Sequence, residues 1–130
     1  MLAKNPENLN ALNNKAALLI QLQRAAEALP LLDRLLTITN LPTIKLNRAV
    51  ALLQTKDFAA AETVYHELEP VKFMAYNVNR GLAEIAENRH DTNAAANYYH
   101  ACLTHTKAGT PDWLEAKARL AALEAPRQTP

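Results

Sequence analysis

Glycine and aromatic residues are scarce in this chain of 130 residues, with two glycines and 5% aromatics. Strands prefer β-branched and aromatic residues, whereas alanine and leucine, which form about a third of the sequence, lead the scale of helix propensity. The composition therefore excludes an all-β fold and predicts an all-α one.

The sequence also lacks a charge excess, a cysteine pair and a long apolar run. Fourteen basic and thirteen acidic residues leave a formal charge of +1, too small to attract nucleic acid strongly. The single Cys102 cannot form an internal disulfide, and no apolar run approaches the ~20 residues that span a bilayer. We expect no nucleic-acid partner and no membrane insertion. The compartment stays open, and it is cytoplasmic if these residues are the whole protein.

Two series of short motifs recur along the chain at nearly constant intervals. The first consists of three strings, each an asparagine, a cation and a small residue: Asn14-Lys15-Ala16, Asn47-Arg48-Ala49 and Asn79-Arg80-Gly81. The second consists of Ala28, Ala61 and Ala95, one of which follows each string. Two series in phase indicate an internal repeat.

Apolar residues between these markers recur every three and four positions, as in an amphipathic helix. We predict three antiparallel helix pairs, at 8–21 with 25–38, 42–54 with 58–69, and 72–87 with 91–106. A seventh helix follows at about 111–123, with Thr110 as its N-cap. Because the interval from Gly81 to Ala95 is two residues longer than that from Ala49 to Ala61, we expect an extra loop at Glu87 to Asp91.

The pattern resembles the tetratricopeptide repeat, a helix–turn–helix unit of about 34 residues. That family has a small residue on the first helix and an alanine twelve residues later, as Ala16 to Ala28 and Ala49 to Ala61 reproduce. Gln23 and Lys56 depart from the pattern, because the family favours glycine there. The resemblance implies a right-handed α-solenoid over residues 1–124, with repeats at about 8–40, 41–70 and 71–106 and a capping helix at about 111–124. The polar residues 125–130 predict a flexible tail.

An array of repeats needs a polar outer face at each end. The last helix provides one through Lys117, Arg119 and Glu124, but the N-terminal side has no equivalent. Residues Leu2 to Pro6 look like the end of another repeat, so we expect this chain to be the C-terminal portion of a longer array. The exposed first pair should then promote a homo-oligomer, which a monomer in sedimentation at high concentration would contradict.

The resemblance also implies a concave wall, built from the first helix of each pair, on which peptides or partner helices bind. Asn14, Asn47 and Asn79 would recur along it, and amides that donate and accept can pair with a ligand backbone. Alternatively, these amides cap or pair within the scaffold. We predict a peptide-binding set that consists of Asn13, Asn14, Gln21, Leu46, Asn47, Val50, Gln54 and Asn79.

Two arrangements of cations in the sequence could recognise an acidic partner. Asn47-Arg48-Ala49 resembles part of the carboxylate clamp with which the family holds the acidic tails of heat-shock chaperones. The clamp's other positions carry Asn13, Ala17, Ala75 and Asn79 in place of its lysines, asparagine and arginine, so we expect no chaperone-tail binding. Lys15, Arg48 and Arg80 could form a row for an acidic partner, but we favour local pairing of their charges, for example with Glu62 or Glu84.

No motif for catalysis is present in the sequence. The four histidines lack the spacing of a metal-binding pair, Cys102 lies among apolar residues, and neither glycine belongs to a phosphate-binding loop. We therefore expect no enzymatic activity, no cofactor and no metal. The sequence favours a noncatalytic scaffold that binds a protein or peptide partner. The alternative is a regulatory or substrate-docking region of a larger enzyme.

Overall fold

A computed structural model describes residues 6–124, and the side chains of residues 8–124. This part of the chain is all-α and contains no strand. Its helices are α1 (Pro6–Gln21), α2 (Ala25–Leu36), α3 (Pro42–Gln54), α4 (Phe58–Glu67), α5 (Ala75–Asn88), α6 (Thr92–Thr104) and α7 (Pro111–Glu124), with a 3-10 turn at Lys72–Met74. The predicted remnant of a further repeat, at residues 2–5, and the predicted flexible tail, at 125–130, lie outside the described residues.

The helices form two compact units that divide between Pro70 and Val71. In the first unit α1 packs on α2 and α3, and α3 packs on α2 and α4. In the second unit α6 packs between α5 and α7. A cluster in the first unit consists of Ala16, Leu19, Ile20, Ala25, Ala28, Leu32, Leu35, Ile44 and Ala51, and one in the second unit of Ala83, Tyr99, Cys102, Ala116 and Leu120.

The same three-residue turn joins the two helices of each pair. Its middle residue has a left-handed backbone, with φ of 61° at Gln23, 66° at Lys56 and 61° at His90. In the second turn the Lys56 N–H donates to the Leu53 carbonyl at 3.0 Å, and the next N–H donates to the Leu52 carbonyl at 2.9 Å. The other two turns repeat both bonds. This is the Schellman motif, in which the left-handed position favours glycine.

These turns correct the predicted alignment of the third helix pair. When the pairs are aligned on the equivalent turn residues Gln23, Lys56 and His90, the counterpart of Ala49 is Ala83, not Gly81. Ala49 and Ala83 are both fully buried. The extra loop expected at 87–91 is wrong, because α5 continues to Asn88 and its connection to α6 is as short as the others.

Polar side chains cap three of the helices at their first turn. Asp57 accepts from the backbone N–H of Ala60 at 3.4 Å, and Asp91 accepts from that of Ala94 at 3.1 Å. The Thr110 hydroxyl accepts from the N–H of Trp113 at 3.4 Å, which confirms Thr110 as the N-cap of α7. Each cap satisfies a backbone donor that has no partner within its helix.

Replacing His90 with glycine is expected to raise the free energy of unfolding by about 0.5–1 kcal/mol. A left-handed backbone costs an L-residue about 1–2 kcal/mol, and the greater chain entropy of glycine in the unfolded state offsets part of the gain. Urea denaturation followed by circular dichroism measures the change. His105→Gly is the matched control, because the φ of His105 is −108°. We expect this variant to lower the free energy of unfolding. Equal effects at both positions would contradict the backbone argument.

Candidate functional site

Two amide side chains of α3 form hydrogen bonds to the neighbouring α1. Asn47 Nδ2 donates to Asn13 Oδ1 at 2.8 Å, and Gln54 Nε2 donates to the Ile20 carbonyl at 3.0 Å. Both bonds span the same sequence separation, which is close to the length of one repeat, so they join equivalent helices of successive pairs. We call the surface formed by Asn13, Ile20, Asn47, Val50 and Gln54 the amide face.

The asparagine pair keeps hydrogen-bonding groups for a ligand. Within residues 8–124, Asn13 Nδ2 and Asn47 Oδ1 make no hydrogen bond, so the pair still offers a donor group at Asn13 and an acceptor at Asn47. Both side chains are half-buried, which restricts their rotation. A free amide N–H and a free amide oxygen complement a peptide backbone, which presents a carbonyl and an N–H.

Gln54 is held in place at a cost to stability. Its Oε1 atom is buried and has no hydrogen-bond partner among the described residues. A buried acceptor without a donor costs about 1–3 kcal/mol. The Ile20 carbonyl accepts from both Gln54 Nε2 and the N–H of Gln23, each at 3.0 Å, as its two lone pairs allow. Polar groups that disfavour folding are typical of functional sites.

Apolar side chains lie beside the amides. Val50 is half-buried and packs against the core of the first unit, and Leu46, one turn earlier on α3, is also half-buried. Ala17 of α1 is small and half-buried. The amide face therefore combines neutral hydrogen-bonding groups with apolar surface, and it contains no charged residue.

The remaining predicted binding residues lie outside this arrangement. Asn14 and Gln21 are exposed on α1. Asn79 lies on α5 in the second unit, where its Nδ2 donates to the Ala75 carbonyl at 2.8 Å, one turn earlier in the same helix. The structure brings Asn13 and Asn47 together, and it places Gly81, not Asn79, at the position equivalent to Asn47.

Charged side chains bridge α5 and α7 in the second unit. Arg80 donates to Glu115 at 2.6 Å and lowers the pKa of that carboxyl, while Arg119 lies 3.5 Å from Glu115 and 3.9 Å from Glu87. The buried Tyr99 donates its hydroxyl hydrogen bond to Glu87, and burial raises the pKa of this phenol. Sequence reasoning did not find this network, because all of its contacts except that between Arg119 and Glu115 join different helices at unrelated spacings.

The cations of the repeated strings pair with carboxylates nearby. Arg48 Nε donates to Asp33 at 2.7 Å, and Arg80 donates to Glu115. Local pairing is therefore confirmed for these two arginines, with Asp33 and Glu115 as the bonded carboxylates. Lys15 is exposed on α1. Arg48 and Arg80 therefore belong to two separate ion pairs and do not form a shared row.

Cys102 is fully buried in the core of the second unit, as predicted for a small hydrophobic side chain. Burial raises the pKa of its thiol to about 12, so the reactive thiolate form is suppressed at neutral pH. Within the part of the chain that the structure describes, no group of three His, Cys, Asp or Glu side chains could hold a metal ion.

Two leucines at the end of α1 and in the turn that follows it are exposed to solvent. Leu18 and Leu22 lie one turn apart, with 54% and 55% of their surface accessible. Self-association through this helix stays a prediction.

None of the helices in residues 6–124 has both the length and the apolar character needed to cross a membrane.

Comparison of the chain with protein-family models, with curated proteins and with solved structures finds no match.

Proposed function

We propose that the chain is a tetratricopeptide-type module, a right-handed α-solenoid of three helix pairs and a capping helix, and that it serves as a noncatalytic scaffold. The turn that recurs at Gln23, Lys56 and His90 with the same hydrogen bonds supports this architecture. So does the twelve-residue interval from Ala16 to Ala28, which recurs from Ala49 and from Ala83. All of the alanines at these positions are buried.

The proposed ligand is an extended peptide segment of a partner protein, bound on the amide face. The observation that carries this proposal is the bond between Asn13 and Asn47, which leaves Asn13 Nδ2 and Asn47 Oδ1 without a hydrogen bond among residues 8–124. The ligand backbone pairs with these two groups whatever its side chains are. Val50 and Leu46 then favour apolar side chains, and the absence of charge on the amide face disfavours recognition of a terminal carboxylate.

Removing the asparagine pair is expected to weaken peptide binding by about tenfold. Two lost hydrogen bonds of ordinary strength amount to about 1–2 kcal/mol, and about 1.4 kcal/mol is a factor of ten in affinity. The experiment selects peptides from a random library displayed on phage, and compares their affinities for the protein and for its Asn13→Ala, Asn47→Ala double variant by fluorescence anisotropy.

Two controls separate binding from folding. Asn97→Ala removes an exposed asparagine from α6 and should leave affinity unchanged. Asn79→Ala should have a smaller effect than Asn47→Ala, because the amide of Asn79 is already bonded within its own helix. The double variant should keep its thermal unfolding within a few degrees of the parent. Selected peptides that bind the double variant as tightly as the parent would contradict the proposal.

A further inference from the structure

A cavity of about 250 Å³ lies between α2, α3 and α4 of the first unit. Liquid water occupies about 30 Å³ per molecule, so this volume is that of a small organic molecule. None of the residues that line it belongs to the amide face. The apolar part of the lining consists of Leu36, Ala60 and Val64, and the polar part of Lys45, Arg48, Thr63 and Glu67.

Two half-buried cations line the α3 side of the cavity. The side chains of Lys45 and Arg48 are 27% and 32% exposed and lie one turn apart. Arg48 binds Asp33 through Nε, and within residues 8–124 its two terminal nitrogens make no hydrogen bond. Lys45 Nζ is 3.8 Å from the carboxylate of Glu67, which is too far for a hydrogen bond. Both cations therefore have donors that the protein does not use.

The opposite wall, on α4, limits what these cations can bind. The Thr63 hydroxyl already donates to the Ala59 carbonyl at 3.1 Å, so it is not a free donor. Among the described residues that line the cavity, Glu67 is the single acidic one, and its charge disfavours a second negative charge on a ligand. Between the walls, Leu36 and Val64 provide apolar contact surface.

We propose that this cavity binds a small organic monocarboxylate with a compact branched or aromatic body. Its carboxylate accepts hydrogen bonds from the two terminal nitrogens of Arg48, whose planar guanidinium matches two carboxylate oxygens. Lys45 adds a second positive charge, and the apolar body of the ligand packs against Leu36 and Val64. This site is separate from the amide face, so the test of carboxylate binding does not depend on whether the amide face binds a peptide.

The test uses 4-methylpentanoate as the probe and 4-methylpentanamide as its neutral counterpart, each titrated into the ¹⁵N-labelled protein. We expect saturable shifts of the backbone amide signals of Leu36, Thr63 and Val64 with the carboxylate. We also expect at least tenfold weaker binding of the amide, because it lacks the charge that Arg48 and Lys45 recognise. The absence of saturable shifts, or equal affinity for the two probes, would overturn the proposal.

Three variants identify the cause of binding. Arg48→Gln should weaken binding of the carboxylate probe at least tenfold, because it removes the two terminal guanidinium donors. Asp33→Asn disrupts the same ion pair but keeps the cation, so affinity should stay equal or increase. Ala60→Leu adds three carbon atoms to the cavity lining and should abolish binding without a change in charge. If Asp33→Asn weakened binding as much as Arg48→Gln, the ion pair and not the free guanidinium donors would be responsible, and the proposal would fail.

Discussion

Replacing Tyr99 with alanine is expected to lower the free energy of unfolding by about 3–5 kcal/mol, which is the usual cost of truncating a large buried aromatic residue. Tyr99 is 1% exposed and packs with Ala83, Cys102, Ala116 and Leu120. Truncation leaves a cavity among these residues, and it also removes the hydroxyl that donates to Glu87. The second unit should therefore lose most of its stability.

Trp113 provides the measurement, because it is the only tryptophan in the sequence and lies on α7 of the second unit. Urea denaturation followed by its fluorescence reports on that unit directly. Tyr98→Ala is the matched control. Tyr98 is only half-buried, so its truncation should lower the free energy of unfolding much less. Tyr99→Phe isolates the hydroxyl, and we expect a loss of about 1.5–3 kcal/mol for a hydrogen bond to a charged group. Equal losses at Tyr98 and Tyr99 would contradict the central place of Tyr99 in this core.

Replacing Ala28 with leucine is expected to destabilise the first unit by about 1–3 kcal/mol, the cost of overpacking a filled core. Ala28 is fully buried on α2, in the same cluster as Ala16 and Leu32. Because α1 and α2 pack directly against each other, three additional carbon atoms at this position must force the helices apart or push a neighbour off its rotamer. Ala61 of α4, twelve residues after Ala49, is also fully buried, so Ala61→Leu should destabilise the first unit for the same reason.

Ala26→Leu is the control for this second prediction. Ala26 lies on the same helix only two residues away, but its side chain is exposed, so leucine should change stability by less than about 0.5 kcal/mol. Circular dichroism in urea measures both variants. If Ala26→Leu were as costly as Ala28→Leu, helix propensity and not packing at a repeated alanine would account for the loss.

The helices could be predicted from the sequence because their signals are local. Pro42 and Pro111 stand at the first position of α3 and α7, and apolar residues recur at helical spacing between the turns. The alignment of the third pair could not be predicted from the repeated strings, because Asn79-Arg80-Gly81 matches the earlier strings in composition while occupying another position on its helix. The signal that could have found it was present: counting twelve residues back from Ala95 leads to Ala83.

The candidate site could be predicted only in outline. The recurrence of asparagines on first helices pointed to amides on one face, and the structure brings Asn13 and Asn47 together there. Which asparagines meet depends on the offset between α1 and α3, and Asn47 bonds Asn13 rather than Asn14, its counterpart in the repeated strings. The cavity beside Arg48 also escaped prediction, because it depends on how three helices leave space between them.

The most direct test of the central claim is to map a selected peptide on the ¹⁵N-labelled protein, through the side-chain NH₂ signals of asparagine and glutamine as well as the backbone. We predict that the largest shifts fall on the NH₂ group of Asn13, on that of Asn47, and on the backbone of Val50. The backbone signals of α6 should stay unchanged. Shifts concentrated at Leu18 and Leu22, or in the second unit, with Asn13 and Asn47 unaffected, would contradict peptide binding on the amide face.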